Sequence, residues 1–326
     1  LEKQLYHEGD LSSSHFLITG GAGFIGSNLV EYLLQHGAGK VRVLDNLSNG
    51  YFENIQEFIS LPNFEFIEGD IRDLVTCRKA LEGIHYVSHQ AALGSVPRSI
   101  NDPITSNEVN ISGFLNMLVA AKEQEGLKKF VYAASSSTYG DSKELPKVEG
   151  YEGKPLSPYA VTKAVNEMYA DVFSKVYGFH TIGLRYFNVF GPKQNPNNPY
   201  AAVIPLFCKH FIEGTQPTIN GDGETSRDFT YVANAVQANI KALLHPGFEQ
   251  HEVFNVACGE QTTLNEIIHY LQEISGKNIQ AIYQAERKGD VKHSLANIDK
   301  IEKQLNYKVI INIKSGLSYT YNILSK

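Results

Sequence analysis

Short apolar and β-branched runs alternate with longer amphipathic stretches over the first 187 residues. "HFLITG" precedes 24–36, "FEFIEG" precedes 73–82, "HYVSHQA" precedes 103–124 and "FVYAAS" precedes 157–177, with "VRVLD" and "TIGLRYF" as further runs. Runs that stay apolar, rather than alternating, mark strands covered on both faces. Their alternation with helical stretches predicts parallel pairing through crossover helices. The expected fold class is α/β, a doubly wound parallel sheet with helices on both faces. Ligands of such sheets bind at the carboxyl ends of the strands, so the residues closing each run are the ones to read for chemistry.

After residue 188 the rhythm breaks into "GPKQNPNNPYAAVIP", dense in Pro, Asn and Gly. Helical periodicity reappears near 203–213, 234–244, 264–275 and 297–305, separated by loops such as "NGDGETSRD" and "ERKGDV". Two regions are expected: residues 1–187, with a return around 229–258, and a smaller mixed α/β substrate domain from 188–228 and 259–326. The chain holds no internal repeat and no low-complexity tract.

Composition narrows the function classes. With 326 residues, 42% of them hydrophobic, the chain can bury a large core. A net charge of −6 with both signs interspersed offers no field for nucleic acid or an anionic membrane, so an anionic ligand must be gripped locally. Cys77, Cys208 and Cys258 are odd in number and lack ligand spacing, which points to a reducing compartment, buried thiols and no metal. No apolar run reaches the ~18 residues a membrane span needs, and "LEKQLYHEGDLS" lacks the apolar stretch of a signal peptide. A cytoplasmic location is expected, with the opening segment a short arm packed on the outside. The triplets "NLS" at 46 and "NIS" at 110 are read as chance matches to the glycosylation pattern.

"GGAGFIGSN" follows the first strand and opens a helix, with Gly20, Gly23 and Gly26 spaced GxxGxxG. Glycines there allow a tight turn and bring backbone N–H groups close to a pyrophosphate at a helix N-terminus. Asp45 closes the second strand 19 residues after Gly26, where a carboxylate accepts from ribose hydroxyls. That acid would repel a 2′-phosphate, and "DNLSNG" carries no arginine, so NAD is expected over NADP. Asp70 and Ile71 close the next strand, and Gln90, Ala91 and Ala92 the one after; small residues there suit a cofactor lying across the sheet edge.

Ser135, Ser136 and Ser137 close the strand "FVYAAS", beside the helix that bears Tyr159 and Lys163. Four residues apart, those two side chains share a helix face. A Tyr–Lys pair at that spacing is common by chance, but the set of GxxGxxG, strand-end Asp, serine cluster and YxxxK resembles the extended short-chain dehydrogenase/reductase family, which carries a Rossmann fold. The resemblance runs from residue 15 over nearly the whole chain. Within it, "HQAALGSVPRS", "SSSTYG", "RYFNVFGP", "NGDGETSRDF" and "RKGDVKHS" look like the UDP-hexose 4-epimerases, especially those acting on N-acetylated sugars in bacterial polysaccharide pathways.

The resemblance implies that Tyr159 deprotonates the sugar 4-hydroxyl as hydride passes to NAD. Lys163 holds the cofactor ribose and favours the phenolate, and Ser135, with Ser136 and Ser137 as further candidates, orients the hydroxyl. Phe24, Ile25, Asn46, Ser48, Asn49, Gly50, Tyr186 and Val189 are implied as additional cofactor contacts. Relatives that eliminate water carry an acidic pair just after the Ser or Thr; here Ser136 and Ser137 stand there, which disfavours a dehydratase. Epimerisation, with the keto sugar turning over while bound, remains. A UDP-sugar is then held by Asn188, Gln194, Arg227, Arg287 and Asp290, with Ala202, Val203, Phe207 and Asn220 around the uracil. Gly94, Ser95 and the small Ser294 are implied to line the sugar pocket. Serine at 294, where a tyrosine would crowd the 2-substituent, favours UDP-GlcNAc and UDP-GalNAc. UDP-glucose/UDP-galactose and the UDP-hexuronic acids are the alternatives, with a dehydratase or a non-catalytic NAD or nucleotide-sugar sensor behind them. Surplus apolar residues on 103–124 and 157–177 suggest a homodimer through a four-helix bundle.

Overall fold

The computed structural model describes residues 4–197, 202–286 and 292–326. In chain order the first part comprises β1 (His15–Thr19), α1 (Phe24–Gln35), β2 (Lys40–Asp45), β3 (Phe64–Glu68), α2 (Leu74–Leu81), β4 (Tyr86–His89), α3 (Val96–Asn101), α4 (Pro103–Asn107), α5 (Phe114–Glu123), β5 (Lys129–Ser135), α6 (Pro158–Tyr177) and β6 (Thr181–Tyr186). The second part comprises β7 (Val189–Phe190), α7 (Val203–Glu213), β8 (Thr218–Asn220), β9 (Ser226–Arg227), β10 (Thr230–Tyr231), α8 (Val232–Leu244), β11 (Glu252–Val256), β12 (Thr262–Thr263), α9 (Leu264–Ser275), β13 (Ile282–Gln284), α10 (Asp299–Leu305) and α11 (Ile313–Leu324).

Among the described residues, seven strands form one parallel sheet in the order β11-β6-β5-β4-β1-β2-β3. The order reverses between β1 and β4, the place where such sheets open a crevice. Alternate residues of a strand point to opposite faces, and both faces are dry. Phe16 and Ile18 of β1 join a core with Leu29 and Leu33 of α1 and Val236 and Ile240 of α8. Leu17, between them, joins a second core with Cys77 of α2, Leu118 of α5 and Phe173 of α6. Three short two-stranded ribbons, β7 with β10, β8 with β13 and β9 with β12, lie outside the main sheet.

The helices start and stop where local chemistry directs. Ser157 caps α6 by accepting from the Ala160 N–H, Pro158 occupies its first turn, and Gly178 ends it in the left-handed conformation. The helix expected over 103–124 runs without interruption from Pro103 to Glu123, with a π-helical turn inside it. Asp102 caps α4 just after α3 ends, and residues 108–113 form a π-helical turn leading into α5. That turn carries Asn110 inward, where it accepts from the Leu93 N–H and donates to Thr162 Oγ1, so the sequon at 110 is buried and closed to glycosylation. Helix α11 is not among the helices the hydrophobic pattern predicts. Gly316 and the β-branched residues weaken its local signal, while close packing of Gly316 on Tyr231 and Phe190 explains the glycine.

The opening segment lies along α1: the Tyr6 ring stacks on Tyr32 with centroids 4.7 Å apart, and His7 Nδ1 meets the Tyr32 hydroxyl at 2.7 Å. All three cysteines are buried free thiols. No described helix is long and apolar enough to cross a membrane.

Candidate active site

A cleft of about 660 Å³ opens along the carboxyl ends of β1, β2, β4, β5 and β6. Its first wall is the turn between β1 and α1. Gly20 has φ +67°, and a Cβ there would lie 2.7 Å from the Ala91 backbone nitrogen; a Cβ on Gly26 would lie 2.3 Å from the Gly20 carbonyl oxygen. Only glycine lets this turn pack so closely on β4 and on itself. Gly23, the N-cap of α1, has no side-chain cap and faces the cleft. The first-turn N–H groups thus form an open anion cradle, which fits the pyrophosphate of a dinucleotide.

Asp45 stands beside this cradle. Its carboxylate accepts from the N–H groups of Ala22 and Leu47, each at 2.9 Å, while burial raises its pKa. Asn46 donates to Asp70 at 2.9 Å; the Arg72 guanidinium bonded to Asp70 holds that carboxyl down at about 2. The loop 46–50 contains no arginine, but the fold delivers one from α3: Arg98 donates to the Asn49 side chain at 3.0 Å.

At the other end, Ser135 closes β5 directly opposite Tyr186 of β6. The Tyr159 backbone N–H donates to Ser99 of α3 at 3.0 Å, which pins the start of the catalytic-candidate helix to the cleft rim. Ser135 and Tyr159 line the same end of the cleft; burial raises the pKa of the phenol, and Ser135 lowers it in part. Lys163 is 4% exposed and donates from Nζ to the Ala133 carbonyl at 2.8 Å. Burial pulls its amine down to about 8, against an opposing pull from Glu167. The amine lies 5.9 Å from the Tyr159 ring centroid. In the protein alone desolvation outweighs the other effects and raises the phenol's pKa; the expected pull toward phenolate comes from the Lys163 ammonium together with the positive nicotinamide ring of bound NAD.

Below these residues a buried ring of polar groups fixes the floor. Asn239 of α8 donates to the Tyr186 hydroxyl at 2.7 Å, Tyr186 donates to Gln90 at 3.1 Å, and Gln90 and Ser88 both donate to the Asn239 carbonyl oxygen. Tyr186 is pushed up to about 12 by burial. It is a rigid, neutral wall.

The cleft is lined by Gly20, Gly23, Phe24, Ile25, Gly26, Asp45, Asn46, Ser48, Asn49, Gly50, Asp70, Ile71, Gln90, Ala91, Ala92, Gly94, Ser95, Ser135, Ser136, Tyr159, Lys163, Tyr186, Asn188, Val189, Gln194 and Ala202, all of them expected from the sequence. Other expected residues fall elsewhere. Ser137 supports Ser135, donating from its hydroxyl at 2.9 Å. Phe207 is a core residue, 1% exposed among Ile204 and Phe211, and Val203 packs against that core. Asn220 sits on β8 opposite Gln284. Arg227 spends one guanidinium nitrogen on the carbonyls of Ser226 and Lys292, and the Ser294 N–H bonds back to Ser226. Arg287 and Asp290 lie outside the described residues. Tyr51, Lys193 and Asn195 line the cleft without having been anticipated. Lys193, at a positive φ of 68°, reaches back to Glu31 at 2.8 Å, and the only local signal for it is its place beside "RYFNVFGP".

Residues 16–257 match the model of the NAD dependent epimerase/dehydratase family. The chain belongs to that family. Similar solved members include the UDP-N-acetylglucosamine 4-epimerase of Methanobrevibacter ruminantium M1 in complex with UDP-N-acetylmuramic acid, at 38% identity and a TM-score of 0.90, with 97% of this chain and 99% of that one covered. The UDP-glucose 4-epimerase of Thermotoga maritima with UDP-glucose is 35% identical, with a TM-score of 0.88 and 95% and 98% covered. The UDP-glucuronic acid 4-epimerase of Bacillus cereus, in complex with UDP-glucuronic acid and NAD, is 33% identical, with a TM-score of 0.87 and 94% and 98% covered. Family membership makes NAD the cofactor, and the glycine cradle beside Asp45 is built for it.

Proposed function

We propose that this protein is an NAD-dependent UDP-sugar 4-epimerase whose preferred pair is UDP-GlcNAc and UDP-GalNAc. The observation that carries the reading is the gathering of Ser135, Tyr159 and Lys163 at one end of the cofactor cleft, with serines at 136 and 137 where an elimination enzyme needs an acid and a base. NAD, when bound, accepts a hydride from sugar C4 and returns it. Ser135 orients the 4-hydroxyl, and Tyr159, as the phenolate favoured by the Lys163 ammonium and the positive ring of bound NAD, takes its proton and later gives it back to the 4-keto oxygen. Lys163, directed toward the sheet edge by its bond to the Ala133 carbonyl, supplies positive charge that favours the phenolate before the proton is taken and again when it is returned. Tyr186, Gln90 and Asn239 hold the floor against which this happens. The reaction returns every proton and hydride, so no net redox partner is required.

We assign nucleotide binding to the segments 188–228 and 259–326, with Asn188, Gln194 and Ala202 at the cleft and Arg227 and Ser294 near β9. The small Ser294 supports a 2-acetamido sugar, as does the likeness to the UDP-N-acetylglucosamine 4-epimerase. The exposed apolar faces of α4 and α6 support a homodimer. The test is incubation of purified protein and NAD with UDP-GlcNAc, UDP-glucose and UDP-glucuronic acid in parallel, with products resolved by chromatography. Conversion of UDP-GlcNAc to UDP-GalNAc at the highest kcat/KM is expected. Faster conversion of another sugar overturns the preference, and no conversion of any overturns the activity.

A further inference from the structure

The first turn of α6 carries the tyrosine assigned to proton transfer, and it is held from outside its own helix. The leading N–H groups of an α-helix have no partner within it. Pro158 brings none, Ser157 Oγ accepts from the Ala160 N–H at 3.1 Å, and the Val161 N–H reaches the Ser157 carbonyl at 3.0 Å. The remaining one belongs to Tyr159, and it donates to Ser99 Oγ of α3 at 3.0 Å, across 60 residues of sequence.

Ser99 is 0% exposed, which closes this bond to water. Its hydroxyl donates to the Val96 carbonyl at 2.8 Å, so the proton is spent and the oxygen is left to accept from Tyr159. The other polar group of the Tyr159 backbone is held as well: its carbonyl accepts from Thr162 Oγ1 at 2.8 Å, and Thr162 accepts from Asn110 at 3.1 Å. Helix α3 is itself fixed over the cleft. Ser95, which lines the cleft, caps α3 by accepting from the Arg98 N–H at 3.2 Å, and Arg98 donates to Asn49 on the facing wall at 3.0 Å. Neighbouring residues of one short helix thus reach the loop beside the cofactor cradle and the catalytic-candidate tyrosine.

Ordinary capping is an incomplete account of this bond. Ser157 already caps α6 with an oxygen from its own turn, and a bond within a turn steadies the helix without setting where the turn sits. The bond to Ser99 joins the turn to a different element, and so fixes the Tyr159 backbone relative to the cleft wall at Ser95, Val96 and Pro97. Rate depends steeply on such placement: a shift of about 1 Å at a reacting group costs on the order of 10²-fold.

We infer that Ser99 is a positioning residue for the reaction: by receiving the Tyr159 N–H it sets the phenol in the cleft where cofactor and sugar meet. The inference rests on the proposed epimerase reading for the task of the phenol. Ser99 does not line the cleft, and it acts only through Tyr159.

The test compares Ser99→Ala with Ser157→Ala, which removes the other side-chain acceptor of the same turn. In Ser99→Ala, kcat should fall by about 10- to 100-fold, with KM for the UDP-sugar and the affinity for NADH little changed. Ser157→Ala should lower the melting temperature at least as much, while kcat falls only a few-fold. Amide hydrogen exchange followed by NMR with isotope-labelled tyrosine, assigned with Tyr159→Phe, gives a second readout: the Tyr159 N–H should exchange faster in Ser99→Ala, because a first-turn N–H without an acceptor is open to solvent. If Ser99→Ala fails to fold, Ser99→Cys, of similar size and with a weakly accepting sulfur, replaces it, with changes expected in the same directions. An unchanged kcat in the folded variant overturns the inference, as do kcat losses that simply track the melting temperature across the two positions, or an unmoved Tyr159 exchange rate. A wild type that converts no sugar counts against the proposed function, and the exchange rate, which needs no turnover, then decides whether Ser99 holds the Tyr159 backbone.

Discussion

At the residue scale, the site separates groups that touch the reacting atoms from groups that hold them. Tyr159→Phe keeps the ring and removes the one oxygen assigned to proton transfer, so NAD binding should survive while kcat falls by roughly 10²–10⁴-fold; fluorescence titration with NADH and steady-state kinetics separate the two. Ser135 and Ser137 make a finer contrast. Ser135 lines the cleft with Tyr159 and lowers the pKa of its phenol, whereas Ser137 only donates to Ser135. Ser135→Ala should therefore cost kcat heavily and Ser137→Ala only a few-fold, with KM for the UDP-sugar little changed in either. Equal losses would make the serine turn a structural unit. Tyr159, Lys163 and the three glycines were legible because their chemistry depends on short, fixed spacings. Ser99 was not, since 60 residues separate it from the Tyr159 N–H, which it meets only after α6 docks beside α3. Phe207 shows the opposite failure: an aromatic expected at a base-binding slot is taken by the core, which claims large apolar side chains first.

Elements carry the site through contacts that no single run displays. The strand–helix rhythm gave β1 to β6 and their crossovers, because strands covered on both faces leave continuous apolar runs. It missed the π-helical turn at 108–113 inside the helix over 103–124, and it missed α11, whose glycine is explained by tertiary packing alone. The same limit hides Asn239. Nothing in "VANAVQANIKALL" marks it, yet it ties α8 to β4 and β6 beneath the cleft. Asn239→Ala would strip partners from Ser88, Gln90 and Tyr186 at once, in a place with no exposure. A loss of about 1–3 kcal/mol in urea unfolding is expected, together with weakened NAD retention. Loss of stability with cofactor affinity intact would confine Asn239 to the core.

On the scale of the whole molecule, an exposed stripe and a buried set of titrating groups govern behaviour in solution. Val161, Met168, Val172 and Val176 run along one outer face of α6, 46–65% exposed, with Ile104 of α4 at 71%; a folded chain rarely leaves such a contiguous apolar face uncovered. If two copies cover it, Met168→Glu should convert a dimer to a monomer in sedimentation velocity, with the helix content of the chain unchanged. Acid stability follows from groups inside. His89 and His251 are held neutral by burial at about 3 and about 4, below the value of ~6.5 they regain on unfolding. As pH falls below that value the unfolded chain binds protons the folded chain refuses, so stability present above it is lost progressively down to the folded values. Asp228 works the other way: burial raises it to about 6, so the fold gains from its protonation between there and the ordinary carboxylate range. Asp45 shifts the same way as Asp228, but His7, His85 and His245 are lowered by burial as His89 and His251 are, which leaves a net loss. Thermal melting should therefore fall between pH 6.5 and 4.5, and His251→Asn, a side chain that does not titrate, should flatten that slope even if it lowers the melting point at neutral pH. A slope unchanged in the variant would mean that His251 takes up its proton without unfolding, and that its contacts with Thr181 and Tyr132 tolerate the charge.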